Sequence, residues 1–364
     1  MKKDRKKDRI ITVIGGGASG MTAAISADRH GGGKVRLFEK NGEPGRKLLA
    51  TGNGRCNLTN TGCEGAEETL DFFSELGLLV RTEEEGRVYP YSEQASAVRD
   101  ALVNEMTDQK IEILCGEEVQ AVEKRDSGFV ITTADGKEYR SDALILATGG
   151  KAGPQYGSTG DGYRFAKAFG HTVVKLMPSL VQMVSEESYF KELKGVRAKG
   201  QAALHREEEV VDAETGEIQF TEEGLSGICI FNLSRKYVRG DIIRIDLFPN
   251  DKEARLEEII TKRIKTLANR SMPEFFCGML HKKLIPVLLA ELALDENRKA
   301  SDLKPDEIMK IVQLLKGWRI SVTGTKGWKE AQVTAGGADL AEIDPDTMES
   351  KLVPALYFAG ELLN

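Results

Sequence analysis

Apolar and polar residues alternate in two rhythms along this chain, and the rhythms divide it. Residues 10–14, Ile-Ile-Thr-Val-Ile, form an unbroken β-branched run, which predicts a strand buried on both faces. Residues 34–38 predict a second such strand, residues 111–114 a third and residues 143–147 a fourth. Between the first two, residues 21–29 read as a helix. Spacing of three and four predicts further helices over residues 67–79, 95–107, 163–169, 251–271, 284–294 and 305–315. Residues 118–123, 129–133 and 138–140 predict a small meander, with a hairpin turn at Asp135-Gly136.

From residue 171 to 249 the texture changes to short strands with polar turns: 173–176, 181–184, 201–205, 209–211, 218–220, 228–231 and 242–247. Without crossover helices between them, they predict an antiparallel, barrel-like second domain. The expectation is therefore an α/β chain with a Rossmann-like first domain, an inserted β-barrel-like domain and a small helical insert. The boundaries are 1–180 plus 331–364 for the first, 181–250 plus 318–330 for the second and 251–317 for the helices.

The first strand passes straight into Gly15-Gly16-Gly17-Ala18-Ser19-Gly20, and the second ends on Glu39. In the order strand, glycine turn, helix, strand, acid, this is a dinucleotide fingerprint. Gly15 permits the turn, Gly17 lets backbone approach a pyrophosphate, and Gly20 lets the helix sit close to the strand. The helix N-terminus favours phosphate. Glu39 suits a ribose hydroxyl and repels a 2′-phosphate, so the first nucleotide expected is FAD or NAD, not NADP.

Residues 40–57 pack glycine, asparagine and cations into a segment with little periodicity, which suits a loop shaped around a polar ligand. Here VIGGGASGMTAA and FEKNGEPGRKLLATGNGRCNLTN resemble the aminoacetone oxidase-like, bile-acid-inducible type of NAD(P)/FAD-dependent oxidoreductases. The resemblance implies a glutathione-reductase-like FAD domain. It implies cofactor contact for Gly15, Gly17, Ala18, Ser19, Gly20, Glu39, Lys40, Arg46 and Lys47. The TGNGRCN string, with Asn53, Gly54, Arg55, Cys56 and Asn57, is expected along the flavin end. Val119 is expected to hold the adenine by its backbone, and Thr148, Gly149 and Gly150 to close over the nucleotide. Gly360 and Glu361 are placed beside the ribitol and phosphates. Asp161, in a GSTGDGY segment, reads either as a plain helix start or as a flavin-site residue. Residues 220–227 resemble a loop expected near substrate.

The resemblance implies an oxidoreductase whose flavin is reduced by NADH, NADPH or a small amine-like substrate and reoxidised by an acceptor. Two alternatives stand beside it: NAD(P)H-dependent reduction of an unsaturated ring or a steroid-like carbon–carbon double bond, and a flavin-bound regulator or RNA-modification partner without turnover of its own. Arg55 and Asn53 are expected to favour negative charge on reduced flavin. Cys56, beside Arg55, reads either as a thiol of lowered pKa or as a packed one. Compared with the family, the connection over residues 61–66 is short, and the family continues past Glu361 with a glycine-rich turn and a helix. If the chain is complete, the flavin site lacks its final phosphate-binding helix; the favoured expectation is instead that mobile segments at flavin-contacting positions are missing from this sequence.

The totals narrow the picture. A net charge of −6 with acids and bases interspersed predicts neither a nucleic-acid face nor a membrane anchor, and so a cytosolic protein acting on a small molecule. Five cysteines without CxxC spacing and four scattered histidines predict no metal site.

Overall fold

The computed structural model describes residues 9–364 apart from positions 32 and 127. It divides into two compact units, one spanning Pro178–Gln332 and the other formed by the chain on either side.

The first unit is built on a five-stranded parallel sheet. Its spatial order is Leu356–Phe358, Ala143–Leu146, β1 (Ile10–Ile14), β2 (Lys34–Glu39) and Glu112–Cys115. Alternation along β1 explains why both of its faces carry apolar residues. Val13 joins a core with Met21, Ile25, Leu37, Val98 and Leu102, while Ile14 joins a core on the other face with Phe38, Leu144, Leu146 and Phe358. The helices α1 (Ala18–Arg29) and Ala95–Asp108 bring Met21, Ile25, Val98 and Leu102 into the first of these cores. Two three-stranded antiparallel sheets flank the main one. One is the meander Val119–Arg125, Gly128–Thr133 and Glu138–Ser141. The other joins Thr59–Asn60, Arg87–Pro90 and Val80–Thr82.

The second unit carries a seven-stranded sheet whose neighbouring strands all run antiparallel. Helices Glu253–Thr266 and Pro305–Gly317 pack in the same core as this sheet. Leu256, Ile260, Ile311, Val312 and Leu315 are clustered with Ile243, Ile245 and Ile320. Residues 251–317 thus share one core with the strands around them.

One predicted element changes type. Residues 228–231, expected as a strand, lie in the helix Ile228–Ser234. A short apolar run has no period of its own. Cys229, Ile230 and Leu233 face inward, three and four positions apart, and exposed Ile228 faces out.

Candidate functional site

The site grows from the carboxyl ends of the parallel strands, where chain segments far apart in sequence converge. At the end of β1, Gly15 holds φ 109°, and a Cβ there would fall 2.4 Å from Ala147 O. A Cβ at Gly20 would fall 1.8 Å from Gly15 O, so only glycine lets α1 start this close to the strand. Gly17 is different. Among the described residues nothing lies within 4 Å of its Cβ position and none caps α1 with a side chain, and no acid occupies the helix's first turn. The backbone N–H groups and positive dipole end of α1 therefore face space suited to an anion.

At the tip of β2, Glu39 is 8 % exposed. Its Oε2 accepts from Gly16 N at 2.9 Å, and its Oε1 accepts from Asn41 N at 2.8 Å and Asn41 Nδ2 at 2.6 Å. These donors fix the carboxylate beside the glycine turn, the geometry a ribose acceptor needs. Asn41 Oδ1 in turn accepts from Arg46 Nη1 at 3.0 Å. Lys40 pairs with Asp161 at 2.5 Å. Burial raises the Asp161 pKa, but hydrogen bonds from Lys40 and Thr159 outweigh it and hold this carboxyl below its ordinary range.

The last residues of the chain return to the same turn. Gly360, at φ 75°, approaches α1 so closely that a Cβ would meet Ser19 Oγ at 2.4 Å. Glu361 accepts from Lys47 Nζ at 2.6 Å and from Thr334 N at 2.7 Å. Thr334 Oγ1 accepts from Lys151 N at 2.7 Å and Ala152 N at 3.0 Å, and a Cβ at Gly150 would collide with it at 2.3 Å. Tyr163 donates to Glu361 O at 3.3 Å, and burial, reinforced by the Glu361 charge, pushes its hydroxyl up to about 12. Thr148 Oγ1 is buried with no hydrogen-bond partner among the described residues, beside Gly149 just past the strand Ala143–Leu146.

The TGNGRCN segment is a tight excursion. After the unpredicted helix α2 (Arg46–Ala50), Gly52, Asn53 and Gly54 are all left-handed, and Thr51 to Gly54 are exposed. Cys56 N closes the loop on Thr51 O at 3.1 Å. Arg55 is held from two sides: its guanidinium lies 4.0 Å over the Tyr89 ring and pairs with Glu83, which also pairs with Arg81. With its side-chain amide turned over, Asn57 Nδ2 donates to Thr59 O at 2.9 Å and Val88 O at 3.2 Å. Cys56 is 6 % exposed, and burial pushes its thiol up against a smaller pull from Thr51, which favours the packed thiol of its two readings. Val119 opens the meander, buried and paired in register with Thr133.

Asn41, Tyr163 and Glu83 belong to these networks without having been singled out as site residues. Tyr163 and Glu83 act through partners remote in sequence, Glu361 and Arg55, whereas Asn41 binds Glu39 two positions away and the acid-Lys-Asn order offered a local clue. In the second unit, Phe220 is fully buried with its ring centroid 5.6 Å from that of Trp318, so it serves the core. The exposed tip of that loop is Glu222 and Glu223, paired with Lys194 and Lys326.

The residues fit FAD on their own evidence: an uncapped helix start with open space over Gly17, a fixed carboxylate of the kind that suits a ribose, and a Thr148 hydroxyl with no hydrogen-bond partner among the described residues. The chain matches the HI0933-like protein Rossmann domain over residues 9–68 and 64–364. It belongs to this HI0933-like family. It is accordingly an FAD-dependent oxidoreductase. A 3-dehydro-bile acid delta(4,6)-reductase of Clostridium scindens is 37 % identical, covering 97 % of this chain and 92 % of that protein. Ribosomal RNA dihydrouridine synthases of Escherichia coli and Haemophilus influenzae are 28 % and 27 % identical, each covering 97 % of this chain and 91 % of that protein. Among the described residues, no helix is long and apolar enough to cross a membrane.

Proposed function

We propose that this member of the HI0933-like family uses NADH or NADPH to saturate a conjugated ring carbon–carbon double bond in a small, steroid-like molecule. One observation carries the reading. Relatives aligned over 97 % of the chain bear names that denote a bile acid reductase and dihydrouridine synthases, and both products have a ring double bond saturated. The bile acid enzyme is the more similar at 37 % identity, and a net charge of −6 gives no support to an RNA substrate.

FAD, when bound, supplies the two-electron chemistry. In this reading the chain's own residues hold it: Glu39 accepts from the ribose, the α1 N-terminus faces the phosphates, and Gly360 and Glu361 border the ribitol. Asn53, Gly54, Arg55, Cys56 and Asn57 line the flavin end. Thr148, Gly149 and Gly150 close over the nucleotide, and Val119 meets the adenine. Oxidation of a small amine, as in an aminoacetone oxidase, is the competing activity.

The test is an anaerobic absorbance spectrum of the FAD-loaded protein. Bleaching of the flavin band by NADH or NADPH, with colour returning on addition of a 3-oxo-delta(4,6) steroid, is the expected result. Bleaching by an amine without nicotinamide, or recovery only with a uridine-containing RNA, overturns it.

A further inference from the structure

Lys40 follows the ribose-site acid directly in the chain, yet its charge is engaged elsewhere. Its ammonium donates to Asp161 Oδ2 at 2.5 Å and to Thr159 Oγ1 at 2.6 Å, and Thr159 Oγ1 donates to the same Asp161 oxygen at 2.8 Å. Asn41 binds the same segment from the next position. Its Nδ2 lies 3.5 Å from Tyr156 O, and a Cβ at Gly157 would fall 2.6 Å from that nitrogen. Residues 156–161 therefore lie against the tip of β2. Among the described residues no cation pairs with Glu39, whose hydrogen bonds come from neutral N–H groups of Gly16 and Asn41.

The charge at this tip is consequently unbalanced. A free ammonium one residue beyond Glu39 would be available to a phosphate on the ribose 2′ position, since lysine binds phosphate as a mobile point charge. Asp161 removes that option by ion pairing, and leaves the Glu39 charge to repel a second anion. We propose that Asp161 is a specificity-determining residue of the nucleotide site, withholding Lys40 so that dinucleotides carrying a 2′-phosphate are rejected. The inference rests on the assignment of the FAD nucleotide to Glu39 and α1.

The experiment uses the full chain and follows FAD binding by flavin fluorescence, with ADP and 2′-phospho-ADP as competitors. In the unaltered protein, ADP displaces FAD better than 2′-phospho-ADP does. In D161N, the preference moves toward 2′-phospho-ADP by about tenfold, the scale of one charge-assisted contact. In the double variant K40M/D161N the original preference returns. D161S, which keeps a hydroxyl at the helix start, replaces D161N if the latter does not fold. An unchanged preference in D161N while ADP still competes overturns the role of Asp161, as does a double variant that behaves like D161N. Failure of ADP to compete with FAD in the unaltered protein overturns the site assignment and the inference with it.

Discussion

Lys47 and Glu361, 314 positions apart in the chain, form an ion pair at 2.6 Å, and the same carboxylate accepts the backbone N–H of Thr334 at 2.7 Å. Both side chains are about a quarter exposed. Removing the carboxylate in E361A leaves an amide and an ammonium without partners, and is expected to cost about 2–4 kcal/mol of stability. K47M leaves the amide bond intact and is expected to cost about 1 kcal/mol. Urea unfolding of both variants checks the asymmetry, and equal losses would show that the Thr334 contact contributes nothing.

Two glycines of the same turn are expected to fail differently. A methyl at Gly20 would sit 1.8 Å from a backbone oxygen, so G20A is expected to lose about 3 kcal/mol or more. A methyl at Gly17 meets nothing and suffers no backbone strain at φ −76°. G17A is therefore expected to melt within a few degrees of the unaltered protein while binding FAD about tenfold more weakly, because its methyl occupies phosphate space. Melting and fluorescence titration on the same samples separate the two outcomes. Normal FAD affinity in G17A would remove the phosphate from the α1 N-terminus.

Much of this turn was legible beforehand, and the reason is locality. A buried strand, glycines at close approaches and an acid at the tip of the next strand all leave their mark within residues 10–39. What was not legible depends on partners. Nothing near Arg55 announces Glu83 or the Tyr89 ring, and nothing near Glu361 announces Lys47. Residues 228–231 misled because four apolar residues satisfy either period, and burial on one side of a helix settled the matter in the fold. The helix α2 hid in a glycine-rich segment whose start is set by left-handed Gly45, hydrogen-bonded to Gly16 O at 2.8 Å.

Tyr163 makes stability depend on alkaline pH. Its hydroxyl ionises at about 12 in the fold and at about 10 in the unfolded chain. The folded state thus keeps its proton where the unfolded state has lost it, and stability is full below pH 10 and falls as pH rises toward 12. Y163F is expected to flatten the fall by on the order of 1 kcal/mol between pH 10 and 11. Denaturant unfolding at those two pH values provides the comparison, and identical slopes would exclude Tyr163 as a source.

Cysteine reactivity is expected to follow burial. Cys56 is buried with its thiol pKa raised, whereas Cys63 is exposed. At pH 7 iodoacetamide is expected to modify Cys63 at least about tenfold faster than Cys56, and C56S to change turnover by less than about twofold. Peptide mass spectrometry over a time course reads the first, steady-state rates the second. Preferential labelling of Cys56 would restore a reactive-thiol role.

The parallel sheet sets a schedule for synthesis. Its edge strand Leu356–Phe358 and the turn partner Gly360 are made after the whole of Pro178–Gln332, whereas β1 and Ser19 are made before it. A ribosome that has reached residue 177 has produced four of the five strands, with Leu144 and Leu146 still lacking the neighbours against which they pair. The segment Pro178–Gln332, which has its own core, is complete before that gap is filled. The nascent chain therefore carries an open sheet edge until residues 356–358 are made, and a complete cofactor site forms only after the second unit has been synthesised.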